Sequence, residues 1–359
     1  MRRSVSIDVR MLRNSGIGRY IRSIVPHLPS LLDADISLIK NKSLTLANGI
    51  QKKAFKFHDV KSSYYSFSEQ LEIPFILRDN NRLLWVPHYN FPVLRNGNLV
   101  VTVHDLAHIA LKAMLGSLLK DIYSQSMFKM LKKKAAKVIC VSHFTKHELI
   151  KYTGIEEKKI QVIYNGLDSS WYGVRKQKNP ETKPFILYVG NVKPHKNLKT
   201  LVQAFLNIHE KIPHNLVLVG EKEGFITRDK QIDNLVSRAP DRIRFTGFIS
   251  DEKLKQYYAH AELMVFPSLY EGFGYPPLEA MACGSPVIAS NAASIPEICE
   301  DAAEYFEPMD TNELTYKIEK VLFDNELKKE LVQRGKKQAR KFTIENCAAQ
   351  TAKVLNAFI

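Results

Sequence analysis

Short apolar runs rich in valine and isoleucine alternate with helical stretches along almost the whole chain, the pattern of βα units wound around parallel sheets. In the first half, positions 5–9, 83–87, 99–104, 137–141 and 160–164 read as strands; in the second, 185–189, 216–219, 243–245, 263–266 and 286–289 do. Ile21, Ile24, Val25 and Leu28 recur at helical spacing, which predicts an amphipathic helix over 18–28. Further helices are predicted over 198–209, 251–260 and 277–282. From 310 onward the pattern is helical, with a break at Phe342-Thr343. The segment 47–60 is weakly patterned and receives no assignment.

The apolar runs are all short. Leu99-Val-Val-Thr-Val103 and Leu216-Val-Leu-Val219 have strand length, far below the roughly 20 residues of a transmembrane helix. Met1-Arg-Arg3 is basic, but the residues after it alternate and carry charge, so they read as a first strand rather than a signal peptide. A chain of 359 residues exceeds what one α/β core needs, which predicts two domains. The polar stretch Lys176-Gln-Lys-Asn-Pro-Glu-Thr-Lys-Pro184 is the linker candidate. The expected division is 1–175, then 176–340, with 341–359 a terminal helix returning to the first domain.

Composition narrows the partners. Lysine and arginine number 52 against 37 acidic residues, a formal charge of +15, which calls for an anionic partner. The basic burst Lys129-Met-Leu-Lys-Lys-Lys-Ala-Ala-Lys137 interleaves apolar residues, as an amphipathic helix resting on anionic lipid would, or as an ordinary solvated helix face would. Zinc-finger spacing, an RNP-like aromatic signature and a basic arm are all missing, so nucleic acid is not the expected partner. Cys140, Cys283, Cys299 and Cys347 are scattered without metal-ligand spacing, which fits a reducing cytoplasm and no metal.

The densest chemistry lies in Pro267-Ser-Leu-Tyr-Glu-Gly-Phe-Gly-Tyr-Pro-Pro-Leu-Glu-Ala-Met-Ala-Cys-Gly-Ser-Pro286. Glu271 falls in a loop and Glu279 in the helix that follows, eight positions on. Gly272, Phe273 and Gly274 form the turn, Pro276 and Pro277 suit a first helical turn, and Gly284 ends the helix. Such a junction offers backbone N–H groups to a phosphate. Upstream, Gly190-Asn-Val-Lys-Pro-His-Lys-Asn197 follows a strand, where α/β domains hold phosphorylated ligands. Lys196 there can give a point charge to a diphosphate, with Lys193 and His195 beside it. Gly220-Glu221 and Gly247-Phe248-Ile-Ser250 end two more strands and can present backbone groups to a base, with Ser250 or Asp251 capping the next helix. In the first half, Asn14-Ser-Gly16-Ile-Gly-Arg19 joins strand to helix without the spacing of a dinucleotide fingerprint. His104 and Asp105 end an apolar strand; His104 either meets an acceptor, as hydrogen-bonding group or base, or is a structural hydrogen-bonding group. Ser142-His-Phe-Thr145 and Asn165-Gly-Leu-Asp168 are further strand-end loops.

Taken in order, Ser15-Gly-Ile-Gly-Arg-Tyr20, Val103-His-Asp-Leu106, Ser142-His-Phe-Thr145, Asn165-Gly-Leu-Asp168, Tyr188-Val-Gly190 with Pro194-His-Lys-Asn197, and 267–286 resemble the retaining GT-B glycosyltransferases of family 4. The resemblance covers nearly the full length, and its look is that of bacterial mannosyltransferases of O-antigen and lipopolysaccharide assembly. It implies an α/β fold of two Rossmann-like domains with parallel sheets facing across a cleft, the second holding the nucleotide sugar. By the same resemblance Glu279 grips the ribose, Glu271 lies at the transferred sugar, and Gly272, Phe273 and Gly274 supply amides. Lys196 and the loop of Gly190 and Asn191 meet the diphosphate, Gly16 lets the chain approach the phosphates, and His104 and Asp105 lie on the acceptor side. Asn191 stands where many relatives carry arginine, and His195 where many read arginine, so cationic support for the diphosphate either is weaker here or rests on Lys193 and Arg19. The implied donor is GDP-mannose, with dTDP-rhamnose or UDP-glucose as runners-up, and no metal or other cofactor. The implied acceptor is a saccharide or a polyprenyl-linked or other lipid-linked one at the inner membrane face, reached by a cytoplasmic, peripheral enzyme. A non-catalytic nucleotide-binding subunit is one competing reading; a GT-B sugar-nucleotide epimerase is another, disfavoured by the family-like glutamate motif.

Overall fold

The structure is a computed structural model that describes residues 3–14, 16–45, 50, 52–77, 82–111, 118–220 and 230–359. Ser15, Glu221 and, within the segment 47–60, positions 47–49 and 51 lie outside the described residues. The chain divides into two compact units, Met1–Gly166 with Phe342–Ile359, and Leu167–Lys341. The division falls ahead of the polar stretch 176–184, which belongs to the second unit.

The first unit holds a seven-stranded parallel sheet. Its strands are β1 (Ser4–Asp8), β2 (Asp35–Asn41), β3 (Lys56–Val60), β4 (Leu83–Val86), β5 (Leu99–Val103), β6 (Lys137–Cys140) and β7 (Ile160–Val162), in the order β3-β2-β1-β4-β5-β6-β7. Its helices are α1 (Gly16–Ile24), α2 (Glu69–Ile76), α3 (Ala107–Ala110), α4 (Leu118–Lys134) and α5 (His143–Thr153). One face of the sheet packs Tyr20, Ile21 and Ile24 of α1 and Ala348, Ala352 and Leu355 of the C-terminal helix, Ile344–Asn356, into one core. The other packs Ile73 of α2, Met127, Phe128 and Leu131 of α4, and Leu149 of α5.

The second unit repeats the plan with six parallel strands, β8 (Phe185–Val189), β9 (Asn215–Val219), β10 (Ile243–Gly247), β11 (Leu263–Phe266), β12 (Val287–Ser290) and β13 (Glu304–Phe306), in the order β10-β9-β8-β11-β12-β13. Helices α6 (Leu198–Ile208), α7 (Lys230–Val236), α8 (Asp251–His260), α9 (Tyr275–Cys283), α10 (Ile295–Cys299), α11 (Thr311–Phe323) and α12 (Asn325–Ala339) complete it. Among the described residues no helix is long and apolar enough to cross a membrane.

Several local expectations need correction. The helix expected over 18–28 ends as an α-helix at Ile24 and continues as a 3-10 helix, Val25–Ser30, because Pro26 and Pro29 lack the N–H that the i to i−4 ladder needs. The basic burst, read as one helix face, is split, as the strand expected over 137–141 requires: α4 stops at Lys134 and Lys137 opens β6. The C-terminal stretch contains a second break at Asp324, whose carboxylate accepts a 2.9 Å hydrogen bond from the Leu327 N–H and starts α12. Strand β3 lies in the unassigned segment 47–60. It is an edge strand, Lys-Phe-His-Asp-Val, whose charged residues blur the apolar period.

Candidate active site

In each sheet the strand order reverses beside the first strand, between β1 and β4 in the first unit and between β8 and β11 in the second. Ligands of open parallel sheets bind at the carboxyl ends of the strands flanking such a reversal. The two loops flanking the second reversal are 190–197 and 267–274, and both carry predicted site residues.

These loops are tied together by side chains. Asn197 donates through Nδ2 to the carbonyls of Pro267 (3.1 Å) and Pro308 (2.5 Å), and Thr200 donates to its Oδ1 (2.7 Å). The Leu269 N–H donates to the His195 carbonyl at 2.7 Å. Across this seam Lys196 Nζ meets Glu271 Oε1 at 2.5 Å, with 19% and 15% of the two side chains exposed. The turn beyond Glu271 is fixed by Ser294, whose Oγ lies 2.9 Å from the carbonyls of Glu271 and Phe273 and shares its one proton between them.

Gly274 caps the start of α9. Pro276 and Pro277 in the first turn carry no N–H, so the amide donors of this helix end come from 272–275. Glu279 sits on the buried side of α9, only 2% exposed, where Oε2 accepts a 2.8 Å hydrogen bond from Tyr258 of α8. A buried carboxylate needs such partners to stay charged.

Gly190 and Gly220 end β8 and β9. A Cβ on Gly220 would stand 2.1 Å from the Gly190 carbonyl oxygen, so glycine is required for the two strand ends to close on each other. The Asn191 carbonyl accepts from Tyr188 at 3.0 Å; burial, with Glu271 nearby, pushes the Tyr188 phenol up and keeps it a donor. The Gly247 carbonyl accepts from the Gly220 N–H at 3.3 Å, and Phe248 beyond it is largely exposed. Ser250, rather than Asp251, caps α8 by accepting from the Lys253 N–H.

At the first unit's reversal lies a buried polar network that sequence reasoning missed. Arg10 donates to both oxygens of Asp8 (2.7–3.1 Å) and pairs with Glu69 at 2.8 Å. Asn90 donates to Glu69 at 2.7 Å, Tyr123 donates to Asn90, and the Asn90 N–H donates to His88 Nδ1 at 3.1 Å. Burial opposes the charge on Asp8, but Arg10 holds that carboxyl below its usual range. Burial raises Glu69 above its usual range, against Asn90 and Arg10, and lowers His88 to about 4. The signal was available in outline, since Asp8-Val-Arg10 and His88-Tyr-Asn90 are polar groups at strand ends.

His104 stands half-buried at the end of β5, its ring 4.9 Å from that of Tyr20. Its Nε2 lies 2.9 Å from the Pro87 carbonyl, which can only accept, so Nε2 carries the proton. Burial depresses its pKa, against the pull of the Pro87 carbonyl and Asp105. The neutral ring therefore leaves Nδ1 as an acceptor. Asp105 is used locally, accepting from the Ala107 N–H at 2.9 Å to start α3. The two glycines of the first loop differ: a Cβ on Gly18 would meet the Leu12 carbonyl oxygen at 2.4 Å, whereas one on Gly16 would meet nothing within 4 Å. The chain's single Asp-x-Asp, Asp33-Ala-Asp35, lies at the amino end of β2, where Asp35 pairs with Lys56 at 2.9 Å.

Known proteins match this layout. Residues 14–171 fit the family model described as glycosyltransferase family 4, and residues 173–338 that described as glycosyl transferases group 1. O-antigen chain mannosyltransferase B of Escherichia coli is 38% identical over 178 residues, 48% of this chain and 45% of that one. O-antigen chain mannosyltransferase RfbU of Salmonella typhimurium is 30% identical over 252 residues, 69% and 67% of the two lengths. The chain thus spans less than half the length of the first relative. Among solved structures, sucrose-phosphate synthase of Thermosynechococcus elongatus superposes with a TM-score of 0.79 at 21% identity, covering 99% of each chain. Anabaena HepE in complex with UDP-glucose does so with a TM-score of 0.76 at 18% identity, again covering 99% of each. The fold is GT-B, and with both halves of its length accounted for by these models the chain belongs to the group 1, family 4 glycosyltransferases.

Proposed function

We propose that this glycosyltransferase moves a hexose, mannose from GDP-mannose, with retention of configuration onto a saccharide or lipid-linked saccharide in O-antigen or lipopolysaccharide assembly. The observation that carries the reading is the grouping of Lys196, Glu271 and the α9 amino end at the second sheet's reversal, with Glu279 buried one helix turn in. The mannosyltransferase relatives support the choice of sugar.

In this reading the second unit holds the donor. Glu279, oriented by Tyr258, accepts from the ribose hydroxyls, and Gly247 and Phe248 border the base. Lys196 and the amides of Gly272, Phe273 and Gly274 hold the diphosphate as negative charge develops on it, helped by the loop of Gly190 and Asn191. Glu271 orients the sugar hydroxyls and stabilises positive character at the anomeric carbon. The first unit serves the acceptor. His104 accepts a hydrogen bond from an acceptor hydroxyl through Nδ1.

The acceptor hydroxyl attacks the anomeric carbon on the face the diphosphate leaves. The new C–O bond forms as the bond to the phosphate oxygen breaks, and the hydroxyl proton passes to a leaving phosphate oxygen. The step needs no metal in this reading, since Lys196 and the amides take the charge that a cation would. The enzyme works on the cytoplasmic side, at the membrane face where lipid-linked acceptors are held.

The test is incubation with labelled GDP-mannose, UDP-glucose and dTDP-rhamnose and a saccharide acceptor, with and without chelator. Transfer from GDP-mannose with the anomeric configuration kept is the expected result. Transfer from another donor alone would overturn the mannose assignment, and binding with no transfer from any donor would overturn the enzyme reading in favour of a nucleotide-binding subunit.

A further inference from the structure

Helices α2 and α4 lie on the same face of the first unit's sheet, where Ile73, Met127, Phe128 and Leu131 join Val86, Val101 and Val103 in one apolar cluster. Their outer surfaces differ from an ordinary solvated layer. Leu71 and Phe75 of α2, 57% and 63% exposed, point away from that core, and Phe67 in the turn just before the helix is 83% exposed. Leu94 extends the patch at 56%. Its loop is held beside α2 by Gln70, which accepts from the Val93 N–H at 2.7 Å and donates to the Phe91 carbonyl. Lys134 Nζ reaches Asn96 Oδ1 at 3.4 Å and brings the basic end of α4 to the same loop. Along α4, positions 122, 126, 129 and 133 form the exposed row, with Ile122 at one end and Lys129 and Lys133 at the other.

The exposed charge on this layer is mainly positive, from Lys129, Lys132 and Lys133 of α4. Glu69 of α2 and Asp121 of α4 are buried. Glu72 uses both oxygens on the N–H groups of Lys61 (2.9 Å) and Ser62 (2.7 Å). Large exposed aromatic and leucine side chains edged by lysines, with Glu72 the one partly exposed carboxylate among the described residues of either helix and its oxygens held by backbone N–H groups, match the boundary between anionic headgroups and acyl chains. A second copy of the chain fits less well, because each copy carries a formal +15 and would bring lysines against lysines.

We propose that the outer face of α2 and α4, with the turn leading into α2, is a membrane-docking surface, in which Phe67, Leu71 and Phe75 enter the headgroup boundary of an anionic bilayer while Lys129 and Lys133 meet lipid phosphates. The surface deepens the peripheral placement proposed above by giving it contact residues, and it stands apart from which sugar is transferred. It also divides the labour of the basic burst: the apolar contact comes from α2 and the turn before it, outside the burst, and α4 supplies charge.

The experiment is sedimentation of the full chain with vesicles of phosphatidylcholine alone or mixed with phosphatidylglycerol, free of any acceptor, with transfer to a water-soluble acceptor assayed separately. The chain should bind the phosphatidylglycerol vesicles strongly and the neutral ones weakly, and added salt should release it. Phe67→Ser with Phe75→Ser should weaken binding by about tenfold or more. Lys129→Glu with Lys133→Glu should weaken it by about 30-fold and remove the preference for phosphatidylglycerol. Both pairs should keep the wild-type melting temperature and soluble-acceptor activity. Failure of the wild type to bind anionic vesicles, or wild-type binding by both folded variants, overturns the proposal. So does a concentration-dependent dimer that Phe67→Ser abolishes in a chain that ignores vesicles, which would give the face to a second copy. Because no donor or acceptor is present in the vesicle assay, its failure leaves the transfer reaction to be judged by its own test.

Discussion

Alanine at position 279 distinguishes a carboxylate that grips a ribose from one that only supports its helix. Glu279 is 2% exposed and receives a 2.8 Å hydrogen bond from Tyr258, so one oxygen is committed to the protein. A hydrogen bond to a charged group is worth about 1.5–3 kcal/mol. With two ribose hydroxyls proposed as donors and some replacement by water, Glu279→Ala should cost about 2–4 kcal/mol of nucleoside diphosphate affinity, roughly 30- to 1,000-fold. The assay is calorimetric titration of wild type and variant with the nucleoside diphosphate and with its dideoxyribose analogue, which closes a thermodynamic cycle. In the wild type, removing the two hydroxyls should lose about as much affinity as removing the carboxylate. In Glu279→Ala the two ligands should bind alike. Tyr258→Phe keeps the carboxylate but removes the hydroxyl that orients it, so a smaller loss of about 1 kcal/mol is expected. If folded Glu279→Ala still prefers the ribose ligand by the wild-type factor, the carboxylate does not touch the ribose and the donor pose built on it is wrong.

Other substitutions test the first unit. Gly18→Ala should destabilise by about 1–3 kcal/mol, because its Cβ would meet the Leu12 and Met11 carbonyl oxygens at 2.4 and 2.8 Å, with backbone that cannot give way. Gly16→Ala should leave the melting temperature unchanged, since its Cβ would meet nothing within 4 Å; equal effects of the two on stability would refute the distinction. Arg10→Met strands the carboxylates of Asp8 and Glu69 inside the unit and should cost about 3–5 kcal/mol in urea unfolding, most of it regained when Asp8→Asn and Glu69→Gln are added. A loss under about 1 kcal/mol would mean that the network does not carry buried charge. Acidification gives a further test through His88, whose pKa falls from 6.5 to about 4 on folding. Above the unfolded value the ring is neutral in both states and contributes nothing. Between the two values the unfolded chain takes up a proton that the native one refuses, so stability falls as pH falls, by up to about 3 kcal/mol from this group. His104, His58 and His214 are lowered too and add the same sign. Unfolding compared at about pH 7 and about pH 5 should therefore show a loss that His88→Gln partly removes, and an unchanged slope in that variant would refute the assignment.

How much of this was legible in the sequence follows from where each element sits in its sheet. Central strands buried on both faces, such as β5, β8 and β11, read as unbroken apolar runs, and their positions agree with expectation to within a residue or so. Edge strand β3 must carry charge on its open side, so its apolar period was lost; β2, bounded by Asp35 and Asn41, was missed with it. The donor-side residues are legible because Glu271, the turn glycines and Glu279 lie on one short segment. What holds them is not local: Tyr258 reaches Glu279 from α8, Asn197 reaches Pro267 and Pro308, and Ser294 reaches back to Glu271 and Phe273.

The hidden network in the first unit shows the same limit more sharply. Arg10, Glu69 and Asn90 come from separate loops and a helix, and nothing in their spacing announces a contact. The reversal of strand order would have pointed to them, since Asp8 ends β1 and His88 follows β4. That reversal is defined by β2 pairing on one side of β1 and β4 on the other. A reading without β2 has no second neighbour for β1 and therefore no switch point to inspect. The missed strand and the missed network are one error, made first in the periodicity of seven residues and inherited by the site.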